Sequence, residues 1–118
     1  MDLKQAVTTV LTQKYADFTG RAMRSELWWF VLFNIIVSVI LGIVDGIIFG
    51  MSILQSLYAL GTLIPSIAVG VRRMHDIDKS GWWLLIALVP VIGVIVLIYF
   101  YAQPGQREAN RFGPPPIA

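Results

Sequence analysis

Few residues in this chain have side chains suited to chemistry, and most of them crowd into one stretch. Arg72-Arg73-Met74-His75-Asp76-Ile77-Asp78-Lys79-Ser80-Gly81-Trp82-Trp83 compresses seven polar or charged residues between two apolar runs. His75 beside Asp76 has the composition of an acid–base pair, but that chemistry requires both groups to be aimed at one proton, and adjacency in sequence does not aim them. His75 is the only histidine and cysteine is absent. A thiol nucleophile, a disulfide framework and a Cys-based metal or cluster site are therefore excluded, and a protein-only zinc site would need at least two carboxylates. No enzymatic activity, metal or cofactor is expected. The same residues suit ion pairing: Asp76 and Asp78 can pair with Arg72, Arg73 and Lys79, and Glu26, near the start of the first apolar run, can reach the same level. Arg and Lys just under the headgroups also attract anionic lipid by about 1 kcal/mol each.

The elements that must position this stretch are apolar. Of 118 residues, 57% are hydrophobic and only 14% charged, against about 25% charge in a soluble domain. That excludes an ordinary cytosolic globule and a disordered tail. The nine basic residues are too dispersed for a nucleic-acid footprint. Three charge-free runs stand out: Leu27 to Val44, Gly46 to Val71 and Ser80 to Gln106, of 18, 26 and 27 residues. A bilayer core about 30 Å thick takes roughly 20 helical residues, and backbone groups in lipid must be paired internally, which favours helices. The sequence predicts an all-α integral membrane protein forming one domain over 1–118, with spans at about 27–47, 53–72 and 81–101. The first run follows 26 residues carrying seven charges and lacks a small-residue cleavage site after it, so it is read as an uncleaved span rather than a signal peptide.

Orientation follows the placement of Lys and Arg. Lys4, Lys14, Arg21 and Arg24 precede the first span, and Arg72, Arg73 and Lys79 separate the second from the third. The turn at 48–52 has no basic residue, and Arg107 and Arg111 follow the third span. Three full spans put the first seven in the cytoplasm and the C-terminus in the periplasm. Trp82-Trp83 and Tyr99-Phe100-Tyr101 bracket the third segment, as rings at two interfaces would. Trp83 to Tyr101 is 18 residues, about 27 Å of α-helix.

Residues 2–18 read as an amphipathic helix on the membrane surface, with Leu3, Val7, Val10, Leu11, Tyr15 and Phe18 on one arc and Gln5, Thr8, Thr9, Thr12, Gln13 and Ala16 opposite. Packing of that helix on the chain's own cytoplasmic loop fits equally well. Residues 102–118 are expected to turn at Pro104-Gly105 and end in a stiff, extended Pro114-Pro115-Pro116. Within the spans, Asn34, Ser38 and Gly42 recur every fourth residue, as do Thr62, Ser66 and Gly70. Such rows let helices approach closely and bond across the contact. They are read as glue between the chain's own helices, with Asn34 as an alternative pore group. Pro65 and Pro90 predict kinks, and Asp45 falls at the outer interface.

Three separated patches resemble a known family. Phe18-Thr19-Gly20-Arg21-Ala22-Met23-Arg24-Ser25-Glu26-Leu27-Trp28 resembles the pattern F-S-G-R-x-R-R-x-E-[FY]-W. Arg72-Arg73-Met74-His75-Asp76 with Ser80-Gly81-Trp82 resembles R-R-L-H-D-x-x-x-S-G-W. Asn110-Arg111-Phe112-Gly113-Pro114 resembles the close N-[RK]-[FY]-G-x-[DN]-P. Together, over about 15–114, they are similar to the bacterial inner-membrane proteins grouped as domain of unknown function 805. Met23 stands where that pattern has Arg, Met74 where it has Leu, and Pro115 where it has an acidic or amide residue. The resemblance implies a small polytopic inner-membrane protein and no particular reaction. It also implies that the patches around Arg21, Arg24 and Glu26 and around Arg72, Arg73, His75 and Asp76 form one cytoplasmic-face feature.

The expected function is a non-enzymatic membrane module whose basic cytoplasmic face (Arg21, Arg24, Glu26, Arg72, Arg73, His75, Asp76 and Lys79) binds anionic phospholipid or a membrane-protein partner. The alternative is an oligomeric pore or small transporter subunit built by self-association along the small-residue rows.

Overall fold

The chain is described by a computed structural model over residues 2–116. Two long antiparallel helices form its axis. Helix α1 (Leu3–Thr8) is followed by a single π-helical stretch (Thr9–Gln13), then by α2 (Arg24–Ile48), α3 (Ile53–Asp76), a 3-10 helix (Gly81–Leu88) and α4 (Ile92–Ala102). α2 and α3 are long and apolar enough to cross a membrane. At 1.5 Å per residue each is roughly 36 Å long. Their outward faces carry exposed Ile35, Ile36, Val39, Ile43, Leu57 and Leu60, the composition of a surface that meets lipid rather than water.

The α2–α3 turn is closed by one carboxylate. The backbone N–H groups of Phe49 and Gly50 donate to the Asp45 carbonyl, and Gly50 takes the left-handed φ of +67° that glycine adopts without strain. α3 has no side-chain cap of its own at Ser52. Instead the Asp45 side chain accepts from the N–H groups of Leu54 and Gln55 at 3.0 and 2.9 Å, placing its negative charge on the positive end of α3. Asp45 is only 2% exposed. One face of α2 then climbs α3 as a polar ladder. Gln55 Nε2 donates to the Ser38 carbonyl, Gly42 leaves room for the Gln55 side chain, and the Tyr58 hydroxyl donates to Asn34 Oδ1 at 2.5 Å. α3 runs through Pro65 as one continuous element.

The third apolar segment departs from the expected span at 81–101. It is a hairpin. The 3-10 helix ends at Leu88, and Val89-Pro90-Val91 reverses the chain into α4. Val91 has φ +64°, ψ −65° and the Ile92 N–H donates to the Pro90 carbonyl, which is the strained form of the γ-turn. A Cβ on Gly93 would lie 1.7 Å from the Ile86 carbonyl oxygen, so only glycine lets the two legs cross here. The rings of Trp83 and Phe100 meet edge to face with centroids 5.6 Å apart. The aromatic residues read as marking two interfaces therefore lie side by side at the open end of the hairpin. Eight 3-10 residues and eleven α-helical residues each span roughly 16 Å, about half a bilayer core.

The two ends of the chain are also placed differently from expectation. The helix expected over 2–18 stops at Gln13. It begins with a capping box in which Asp2 and Gln5 bond each other's backbone N–H. Of the predicted arc it buries Val10 and packs Leu11 against the core, and it also buries the small Ala6 and Thr9, the latter from the face expected to lie opposite. Leu3, Tyr15 and Phe18 remain exposed, and the Tyr15 hydroxyl bonds the Gly61 carbonyl partway along α3. Val10, Ala22, Leu27, Phe30 and Val69 form the core, with Leu11, Val31 and Tyr101 packed against it. The tail does not run away from the hairpin. It folds back over the end of the bundle that holds Arg21 and Asp76, turning at Asn110–Gly113. N- and C-terminal segments thus meet at one end of the bundle, against the expected separation across it.

Candidate functional site

At that end, beneath the tail, lies a cluster of buried charges. Glu26 enters from the first turn of α2, and Arg72, Arg73, His75 and Asp76 from the last turns of α3. Arg21 comes from the link between the N-terminal segment and α2, where Gly20 at φ +75° bends the chain and the Ala22 N–H is held by the Arg72 carbonyl. Arg21 Nε lies 2.9 Å from Asp76 Oδ1, Arg73 Nη1 2.6 Å from Asp76 Oδ2, and Arg72 Nη1 2.5 Å from Glu26 Oε1. All three arginine side chains are fully buried.

Three buried guanidinium groups face two buried carboxylates, and main-chain carbonyls meet the surplus positive charge. Arg21 donates to the carbonyls of Gln106, Glu108 and Gly113 in the tail. Arg72 Nε donates to the Asp17 carbonyl. Arg73 donates to the carbonyls of Ala22, Tyr101 and Gln103, and the exposed Arg24 donates to that of Ala102. The end of α4, where helical carbonyls lack partners, is thereby capped by cations, the sign that a helix C-terminus favours. Arg72 Nη2 is buried with no bonding partner among the described residues. Gly105 passes so close to Asp76 that a Cβ there would lie 1.9 Å from Oδ2, which presses the tail onto the carboxylate.

His75 has a different partner from the one its neighbour suggests. Its Nδ1 is 2.8 Å from the Gly20 carbonyl, so that nitrogen carries the proton. Its ring stacks on Phe112, centroids 3.8 Å apart and nearly parallel, and Arg111 Cζ lies over the Phe112 ring, 4.8 Å from its centroid. Asn110 Nδ2 donates to the His75 carbonyl. Both Asp76 oxygens are engaged by Arg21 and Arg73, so His75 and Asp76 do not share a proton. At the edge of the cluster, burial works against ionisation of Asp17. The side-chain and backbone bonds from Thr19, with nearby Arg72 and Lys14, outweigh burial and hold the carboxyl below its usual range.

The sequence-predicted residues therefore fall into two groups that do not meet. Arg21, Glu26, Arg72, Arg73, His75 and Asp76 converge and are buried. Arg24 and Lys79 stay on the rim, with Lys79 Nζ over the rings of Trp83 and Phe100 at 5.7 and 5.2 Å. Asn34, Ser38 and Gly42 lie along the α2–α3 contact. Thr62 bonds back to the Tyr58 carbonyl, Ser66 is half-buried, and a Cβ on Gly70 would meet the Tyr101 hydroxyl at 2.9 Å. Gln55, Tyr58 and the tail carbonyls were not anticipated. Backbone acceptors leave no trace in residue type, although the Asn110–Pro114 patch marked the segment that supplies Gly113.

The three patches singled out in the sequence thus meet at one place: 18–28, 72–82 and 110–114 build the charged cluster together. Comparison with known proteins gives the same extent. The family described as protein of unknown function (DUF805) matches residues 15–114. Inner membrane protein YhaH of Escherichia coli K12 is 42% identical over 109 residues, covering 88% of this chain and 90% of that one. Inner membrane protein YhaI of the same strain is 42% identical over 106 residues, covering 88% and 89%. No solved structure gives a significant match. With the match spanning all three patches, the chain belongs to the DUF805 family of proteins of unknown function.

Proposed function

We propose that this chain is a non-enzymatic inner-membrane module that gathers anionic phospholipid around a cytoplasmic rim of cations. In this reading α2 and α3 cross the bilayer, and the 81–102 hairpin enters from the cytoplasmic side and returns to it. Arg21, Arg24, Arg72, Arg73, Lys79, Arg107 and Arg111 gather at one end of the bundle, whereas the turn at 49–52 has no basic residue. That asymmetry supports a cytoplasmic charged end.

One observation carries the lipid reading, the division of labour among the cations. Arg21, Arg72 and Arg73 are consumed internally, so they tie the segments together and are closed to headgroups. Arg24, Arg107 and Arg111 are exposed and Lys79 is half-exposed, at the level where each cation near an anionic surface contributes about 1 kcal/mol. A pore is less well supported, because Asn34, the polar group it would need, is engaged by Tyr58.

The test is native mass spectrometry of the full chain released from nanodiscs of either phosphatidylglycerol or phosphatidylcholine. The proposal expects phosphatidylglycerol to be retained preferentially. Replacing Arg24, Lys79, Arg107 and Arg111 together by Gln is expected to abolish the preference. Equal retention of both lipids by the unaltered chain would overturn it. A second copy or another membrane protein as partner would register as added protein mass.

A further inference from the structure

Beside the charged cluster, α3 and the 3-10 helix leave a groove of about 420 Å³ between them, within the range of ligand sites in proteins. Its polarity changes along its length. At one end are His75, Ser80 and Gly81; at the other are Ile67 and Leu85. Ile67 precedes His75 by eight residues of α3, so the groove descends roughly 12 Å from the charged end toward the middle of the bundle. Leu85 and Ile67 are 55% and 40% exposed, which makes the deep end continuous with the apolar outer surface of the helices. Trp82, 78% exposed, stands beside the mouth, as aromatic rings do at a membrane interface.

We infer that this groove holds one acyl chain of an anionic phospholipid, with the lipid's phosphate at the His75–Ser80 end. The inference rests on the lipid reading above and gives it a site. Two features select the occupant. The deep walls offer only apolar groups, whereas an inserted peptide would need backbone partners along its length. A cation stands near the mouth: Arg111 lies over the Phe112 ring, which stacks on His75. A chain with an anionic head matches this gradient from end to end, and an uncharged apolar molecule matches only its lower half.

The experiment uses the full chain in nanodiscs of mixed phosphatidylethanolamine and phosphatidylglycerol, the latter carrying a diazirine near the end of one acyl chain. The protein is extracted into detergent before illumination, so that only retained lipid can react. Adducts are expected within 67–71 and 84–85. Leu85→Trp and Ile67→Trp each set an indole into the groove from an exposed position. Both are expected to lose the adduct and one retained phosphatidylglycerol, while Ile95→Trp, at an exposed position on α4, keeps both. Unchanged adducts and unchanged lipid counts in the two groove variants would overturn the inference. If the four-site rim variant still abolishes headgroup preference in that case, the groove is wrong and the rim reading stands. If the unaltered chain retains no phosphatidylglycerol preferentially, both fail together.

Discussion

Removing the charge of Asp76 while keeping its shape, Asp76→Asn, leaves two fully buried guanidinium groups without their counter-ion. The carboxylate makes bonds of 2.9 Å to Arg21 and 2.6 Å to Arg73. Two charge-assisted hydrogen bonds at about 1.5–3 kcal/mol each suggest a loss of about 3–6 kcal/mol. Breaking a buried pair by removing one partner costs about 3–5 kcal/mol in general, so the two routes agree near 4 kcal/mol. Asp78, two residues on, is an internal control. It pairs with Arg111 at 3.3 Å, and the two side chains are 39% and 61% exposed. Solvent screens such a pair, and Asp78→Asn is expected to cost about 0–1 kcal/mol. The assay is reversible unfolding in bicelles by steric trapping, which reads free energy directly. A cost under about 1 kcal/mol for Asp76→Asn, or equal costs at the two positions, would refute the claim that burial makes the Arg21–Asp76–Arg73 triad a clasp.

Three further outcomes follow from the same geometry. Gly93→Ala puts a methyl 1.7 Å from the Ile86 carbonyl oxygen, so the hairpin must open and the Trp83–Phe100 contact must be lost; a distance between spin labels on the two legs should lengthen, and an unchanged distance would contradict the close crossing. Tyr58→Phe removes the partner of Asn34 Oδ1 and is expected to cost about 0.6–2 kcal/mol, measured by the same unfolding assay. The carboxyl of Asp17 is held below its ordinary value of 3.8, so the charged form is favoured in the folded chain. Its contribution to holding the 17–20 turn is present above that value and lost as pH falls through the lowered one, which a pH series of the Thr19 amide resonance would follow.

The two long helices were legible because apolar runs of helix length have few other uses. The expected 27–47 and 53–72 fall inside Arg24–Ile48 and Ile53–Asp76. The row at Asn34, Ser38 and Gly42 marked the face that meets α3 for the reason helix rows generally do: small groups every fourth residue share one side. The hairpin at 81–102 was not legible from hydropathy, since a segment that returns is as apolar as one that crosses. Its punctuation was present in Pro90 and Gly93, but Pro90 alone is equally consistent with a kink. Burial of Arg21, Arg72 and Arg73 was hidden for another reason. Their main-chain partners, from Asp17 to Gly113, lie far away in sequence and carry no signature of their own.

The hairpin fixes the side of the membrane on which the tail lies, and the chain has no native cysteine to confuse a labelling measurement of it. Ala109→Cys and Met51→Cys, at exposed positions in the tail and in the α2–α3 turn, would be probed in intact cells with a maleimide that cannot cross the inner membrane. Met51→Cys is expected to label from outside, and Ala109→Cys only after the inner membrane is permeabilised. Labelling of Ala109→Cys in intact cells would mean that the third segment crosses the bilayer, and would contradict the hairpin and the clasp over it.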